Sequence, residues 1–152
     1  MKRLSHFLIL ILLIASTAVA QKESYAYGEP SDLKGLKKIY VDTGPDTKNR
    51  DSIIKDLRKA DLGFEFVDDE ESAEIVLGYG AGEVTRKAIV TGVVVQAKTQ
   101  RTGTGVVVAH ARGKDRLIHS FQDVQQSGWE RKPVTNFVRE FIKVYKNGND
   151  LK

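Results

Sequence analysis

Lys37–Val67 (KKIYVDTGPDTKNRDSIIKDLRKADLGFEFV) decides the fold class, because its hydrophobic period changes twice within one short segment. Lys37 to Asp42 alternates, with Ile39 and Val41 on one face of a strand. Thr43-Gly44-Pro45-Asp46 breaks that strand with turn residues. A helix is predicted from about Arg50 to Ala60, with Asn49 as its N-cap and Asp51 in its first turn. Ile53, Ile54, Leu57 and Ala60 form its apolar stripe. Gly63 closes the helix, and Phe64 to Val67 reads as a second strand. A strand–helix–strand unit of this kind buries its helix stripe by laying it on a sheet.

Downstream the pattern turns to β. Ile75 to Tyr79 (IVLGY) is apolar on both faces, as a central strand requires. The glycine-dense run Gly78-Tyr79-Gly80-Ala81-Gly82 is expected to make a bend or hairpin. A phosphate-cradling loop would need a helix N-terminus next, and β pattern follows instead. Arg86 to Lys98 and Gly105 to Arg112 read as two strands joined by a turn at Gly103-Thr104-Gly105. Arg112-Gly113-Lys114-Asp115 turns into a strand over Arg116 to Asp123. Alternation there puts Leu117, His119 and Phe121 on one face and Ile118, Ser120 and Gln122 on the other. A second helix opens at Pro133, which suits the first helical position. Val134, Phe137, Val138, Phe141, Ile142 and Tyr145 recur at helical spacing until Asn147-Gly148 stops it. The expected fold is α+β (mixed α/β), in the order β-α-β-β-β-β-β-α, with two helices on one face of a mostly antiparallel sheet.

Before the fold comes a leader. Lys2 and Arg3, the apolar run Phe7 to Ile14, and Ala18-Val19-Ala20 are the three parts of a secretory signal peptide, in order. The apolar run is too short to span about 30 Å of hydrocarbon, which takes roughly 20 residues. Cleavage is expected between Ala20 and Gln21, giving a soluble periplasmic or secreted product that does not span the membrane. The chain contains no cysteine, so lipid attachment at the cleavage point, disulfides and thiol chemistry are not expected. The expected organisation is a signal peptide over 1–20, a flexible leader over 21–34, one α+β domain over 35–148 and a tail over 149–152.

Cleavage leaves 132 of the 152 residues and lowers the formal charge from +4 to +2. The remaining charge is unevenly spread. Gln21 to Glu83 carries 9 basic and 15 acidic residues, whereas Val84 to Lys132 carries 9 basic and 3 acidic. An asymmetry of this kind bears on partners, not on the fold.

The segment Ser120 to Lys146 (SFQDVQQSGWERKPVTNFVREFIKVYK), with KKIYVD and AEIVLGYG, resembles a group of small exported bacterial proteins that brings no function with it. The strand–helix–strand opening also resembles the α/β envelope domains of the Tol-propeller N-terminal and curli-secretion lipoprotein type. Such domains are interaction modules, and no functional residue is carried over from either likeness.

Candidate site residues follow from chemistry. Asp42 and Asp46 flank the turn at the carboxyl end of the first strand, where open sheets hold ligands; their commoner use is in turn and cap hydrogen bonds. Arg101, Arg112 and Arg116, in the basic β region with Arg86, Lys87, Lys98 and Lys114, suit an anionic partner or act as solubilising edge charge. Trp129 with Arg131 fits an interface anchor or a cap over the core. His110 and His119 lack the third ligand of a zinc site, no G-x-S-x-G elbow is present, and Asp68 to Glu71 lacks the ligand spacing of a calcium loop. No cofactor, metal or nucleic acid is expected. The expected role is a non-enzymatic exported module docking an envelope protein or an anionic surface polymer; a small hydrolase or ligand-binding protein using the loop after the first strand is the alternative.

Overall fold

The computed structural model describes residues 26–90, 93–111, 113–125 and 131–152; the proposed signal peptide, Arg112 and Trp129 lie outside these residues. Strand β1 (Ala26–Tyr27) leads through a 3-10 helix (Pro30–Leu33) into β2 (Lys38–Asp42), helix α1 (Thr47–Lys59) and β3 (Glu65–Phe66). Three long strands follow, β4 (Ile75–Val90), β5 (Val93–Ala111) and β6 (Lys114–Gln125), before helix α2 (Pro133–Gly148). They form one sheet in the order β1-β6-β5-β4-β2-β3. The long ladders β4–β5 and β5–β6 are antiparallel, and the short ones β2–β3, β2–β4 and β1–β6 are parallel. This is the predicted α+β class, with an antiparallel centre.

Both helices cover one face. Ile53 and Leu57 of α1 and Val134, Phe137, Val138, Phe141 and Tyr145 of α2 close over Ile39, Val41, Ile75, Leu77, Tyr79, Val107 and Ala109. The other face holds a smaller cluster of Ala73, Val76 and Val108, flanked by Tyr40, Val67 and Leu117.

The structure corrects several sequence expectations. The segment expected to be part of a flexible leader enters the fold at Ala26, where β1 pairs with β6 and Leu33 is fully buried in the main core. Apolar burial of Leu33 offsets the entropy of ordering this stretch. Helix α1 starts earlier than predicted, because Asp46 rather than Asn49 caps it: its Oδ1 accepts from the Asn49 N–H at 3.1 Å. The expected bend at Gly78–Gly82 is continuous strand paired with β5. The expected turn at Gly103–Gly105 lies in the middle of β5, paired on both sides. A Cβ on Gly103 would come within 2.5 Å of the Tyr79 hydroxyl, and one on Gly105 within 2.5 Å of the Phe137 ring. These glycines make room for α2 against the sheet. Arg86 to Lys98, read as one strand, is divided between β4 and β5, with Val90 facing Val93.

Strand β6 departs from strict alternation. The β5–β6 register slips between Val107 and Val108, so His119 faces Val107 while Leu117 faces Val108. Ile118 consequently packs with the main core and Leu117 with the small opposite cluster. An extra residue at a bulge reverses the face of every residue beyond it.

Candidate functional site

The loop after β2 is built by side-chain hydrogen bonds. Asp42 Oδ1 accepts from the Gly44 N–H at 2.9 Å, and Gly44 takes a positive φ of 56°. Asp46 caps α1 and also accepts from Asn49 Nδ2 at 2.6 Å, while the Thr43 hydroxyl donates to the Asp46 carbonyl at 2.8 Å. Asp42 is exposed and Asp46 half-buried. The two carboxylates sit close in sequence, but only Asp46 reaches the cleft beside the loop.

That cleft, of about 550 Å³, lies where the start of α1, the start of α2 and the adjoining stretches of β4 and β5 meet. Asp46, Tyr79, Glu83, Arg101 and Lys132 are among its lining residues. Glu83 and Arg101 are cross-strand partners, with Oε1 and Nε 3.8 Å apart and both side chains largely exposed. Such an exposed pair contributes little stability. Tyr79 forms the cleft's inner wall. Its ring stands 5.3 Å from that of Phe137, and its phenol is pushed up to about 12 by burial and by the charges of Asp123 and Asp46. It therefore stays a neutral hydroxyl throughout the physiological range. The cleft offers hydrogen-bonding and ionic groups of both signs, which is equipment for recognition.

The structure divides the basic β region. Arg101 lies at one end of the sheet, together with the strand positions of Arg86, Lys87 and Lys98. Arg116 lies towards the other end, where β6 pairs with β1. There its Nη1 sits 3.2 Å from Asp32 Oδ2, and its Nε is buried without a partner. Lys114 shares its surroundings with Glu70, Glu71 and Asp115. The positive charge at this end is thus balanced locally; at the other end Glu83 lies three residues before Arg86 and pairs with Arg101, and no acidic residue follows until Asp115. Arg131 is exposed next to Lys132, the residue preceding α2.

The histidines are not brought together. His110 Nδ1 lies 2.5 Å from Asp115 Oδ1, close to the acidic loop. His119 lies beside Arg139, Glu140 and Lys143 of α2. Glu74, which sequence analysis did not single out, joins β2 to β4: its carboxylate accepts from the N–H groups of Lys37 at 2.6 Å and Lys38 at 3.0 Å. Those two hydrogen bonds hold its carboxyl below the ordinary range.

One further feature of the sheet is not declared by the local sequence pattern. Among the described residues, β2 pairs with β4 as far as Gly78, and β6, which is described to Gln125, pairs with β5 as far as Arg101. From Val84–Gln100 out to Val90–Val93, β4 and β5 pair with each other, and no other described strand pairs with them there. The available signal was the β-branched composition of Ile89-Val90 and Val93-Val94-Val95, which favours strands.

Comparison with known proteins adds three distant likenesses of shape. The hypothetical protein CT253 from Chlamydia trachomatis is similar over 74% of this chain and 98% of its own, with 10% identity and a TM-score of 0.46. The rare lipoprotein B from Shewanella oneidensis covers the same share of this chain and 88% of its own, with 10% identity and a TM-score of 0.37. A minor lipoprotein from Acinetobacter baumannii does so over 87% of its own length, with 10% identity and a TM-score of 0.34. At TM-scores this low the likenesses carry no argument about function, and they bring no support for the Tol-propeller resemblance. No protein-family model and no curated protein matches the sequence. Among the described residues, no helix is long and apolar enough to cross a membrane.

Proposed function

We propose that this protein is an exported, non-enzymatic docking module whose contact surface is the β4–β5 ribbon and its basic root, and whose partner is an anionic component of the cell envelope. The observation that carries this reading is the ribbon itself. Among the described residues, Val84–Val90 and Val93–Gln100 extend past the pairing of both neighbouring strands. No acidic residue occurs from Val84 to Lys114, while Arg86, Lys87, Lys98 and Arg101 all fall on this stretch. A projecting ribbon of one charge sign is steered toward an opposite surface at long range. The leader over residues 1–20 supports action outside the cytoplasm.

The test is retention of the protein on immobilised polyanion as ionic strength is raised from about 0.01 M to about 1 M, over which the Debye length shrinks from roughly 30 to 3 Å. Retention at low salt, lost at high salt and weakened in an Arg86→Gln/Lys98→Gln variant, is the expected result. Failure to bind at low salt would overturn the reading.

The cleft favours a second reading, a small polar-ligand site using Asp46, Tyr79 and Arg101, in line with the alternative drawn from the loop after the first strand. Its mark would be an affinity sensitive to Arg101→Ala and indifferent to Arg86→Gln.

A further inference from the structure

The cleft between the starts of the two helices has a floor and a rim of different chemistry. Tyr79, Pro133 and Val134 are buried and make the floor, whereas Lys48, Glu83, Arg101 and Lys132 are exposed and make the rim. The floor holds an unused group. Tyr79 is only 6% exposed, yet among the described residues its hydroxyl has no hydrogen-bond partner. Buried hydroxyls are nearly always paired, so one left open at the base of a cleft marks a place for a ligand atom. Its position is fixed at the first residue of α2, since a Cβ on Gly103 would come within 2.5 Å of the hydroxyl and 2.6 Å of Pro133 Cβ.

That end of α2 is open as well. Lys132 occupies the N-cap position without a side-chain hydrogen bond to the helix, and Pro133 has no N–H to offer. The start of this 16-residue helix therefore keeps its partial positive charge uncompensated by a cap. The start of α1 is already served, because both Asp46 oxygens accept from Asn49.

The rim sets the sign of the ligand. Lys48 and Lys132 have no ion-pair partner among the described residues. Arg101 has Glu83 at 3.8 Å, a contact between exposed groups that a ligand replaces at little cost. These three cations outnumber the carboxylates of Asp46 and Glu83 by one, which suits a single negative charge. A doubly charged anion would bring its second charge against those carboxylates. Asp46, Glu83 and Thr102 remain as acceptors for hydroxyl groups.

Building on the cleft reading, we infer that this site binds a small hydroxylated monocarboxylate of the sugar-acid type. The Tyr79 hydroxyl, the start of α2 and Lys132 hold its carboxylate, and Asp46, Glu83 and Thr102 take its hydroxyls. The experiment is an NMR titration of the protein's backbone amides with D-gluconate, and with D-gluconamide, which keeps the hydroxyls and lacks the charge.

Gluconate is expected to shift the amide resonances of Thr102, Val134 and Thr135 and to bind about ten-fold more tightly than gluconamide. Tyr79→Phe keeps the ring and should weaken gluconate about ten-fold. Lys132→Gln, an exposed change that leaves the fold intact, should weaken it by a similar factor and keeps the test decisive if Tyr79→Phe misfolds. Equal affinity for the two probes, or indifference to both substitutions, would overturn the carboxylate assignment and leave the cleft reading standing. Shifts confined to other surfaces, or none with either probe, would remove both.

Discussion

Strands β4 and β5 do two different things along one hairpin. At the end bound into the sheet they carry Ile75, Leu77, Val107 and Ala109, all fully buried beneath the two helices. At the other end, from Val84 and Gln100 outward, they pair, among the described residues, only with one another. Both ends are rich in β-branched residues, and their local sequences differ little in strand character. Whether a strand becomes core therefore depends on what lies over it. Here the cover comes from α2, whose Phe137 packs against Tyr79 and Phe121 with ring centroids 5.3 and 5.5 Å apart.

The comparison can be broken most forcefully at the covered end. Phe137→Ala should cost about 3–5 kcal/mol, because it removes a fully buried ring from between two others and leaves a cavity. Urea unfolding would measure this, and a loss below about 1 kcal/mol would mean that α2 does not hold the sheet as described.

A smaller effect concerns Tyr79, at the border between the two regions. Its folded phenol is pushed up to about 12 from an ordinary value of 10.0. The unfolded chain therefore loses this proton first as pH rises. The stabilisation is fully present below pH 10 and is lost progressively as pH rises towards about 12. Unfolding midpoints measured across that window should fall more steeply for the natural protein than for Tyr79→Phe. Parallel curves would show that Tyr79 ionises freely and that the cleft wall is open.

The smallest effect is expected at the free end. Arg86→Ala or Lys98→Ala should change stability by no more than about 0.5 kcal/mol, while reducing retention on polyanion. A large stability loss would show that the ribbon packs on the body, and the contrast between the two ends would disappear.

Several parts of the fold were legible in the sequence because local chemistry specified them. The α2 stripe from Val134 to Tyr145 has one period and one buried face, and Pro133 and Gly148 mark its ends. The unit from Lys37 to Val67 declares two strands and a helix by its change of period. The glycines misled. Gly103 and Gly105 were read as a turn, since glycine most often punctuates the chain, yet here they provide space for Tyr79, Pro133 and Phe137. No local rule distinguishes these uses, because the rings that need the space, Tyr79 and Phe137, lie far away in sequence. The β6 bulge is similar: Leu117 and Ile118 exchange faces only because of how β6 pairs with β5.

The candidate residues show the same division. Asp46 and Arg101 were separate choices in the sequence, one from a turn and one from a basic run, and the fold places both at one cleft. Arg116 and Arg101 looked like members of one basic region, and the sheet sets them towards opposite ends.

By itself the sequence determined the α+β class, the two helices and their buried stripes, and the uneven placement of charge, since each follows from residue type and short-range period. Only the tertiary structure decided which glycines are spaces and which are turns, which face of β6 is core, and where the sheet's support ends. Those outcomes depend on pairing register and on contacts between distant segments, such as the Tyr79 and Phe137 rings that occupy the space left at Gly103 and Gly105.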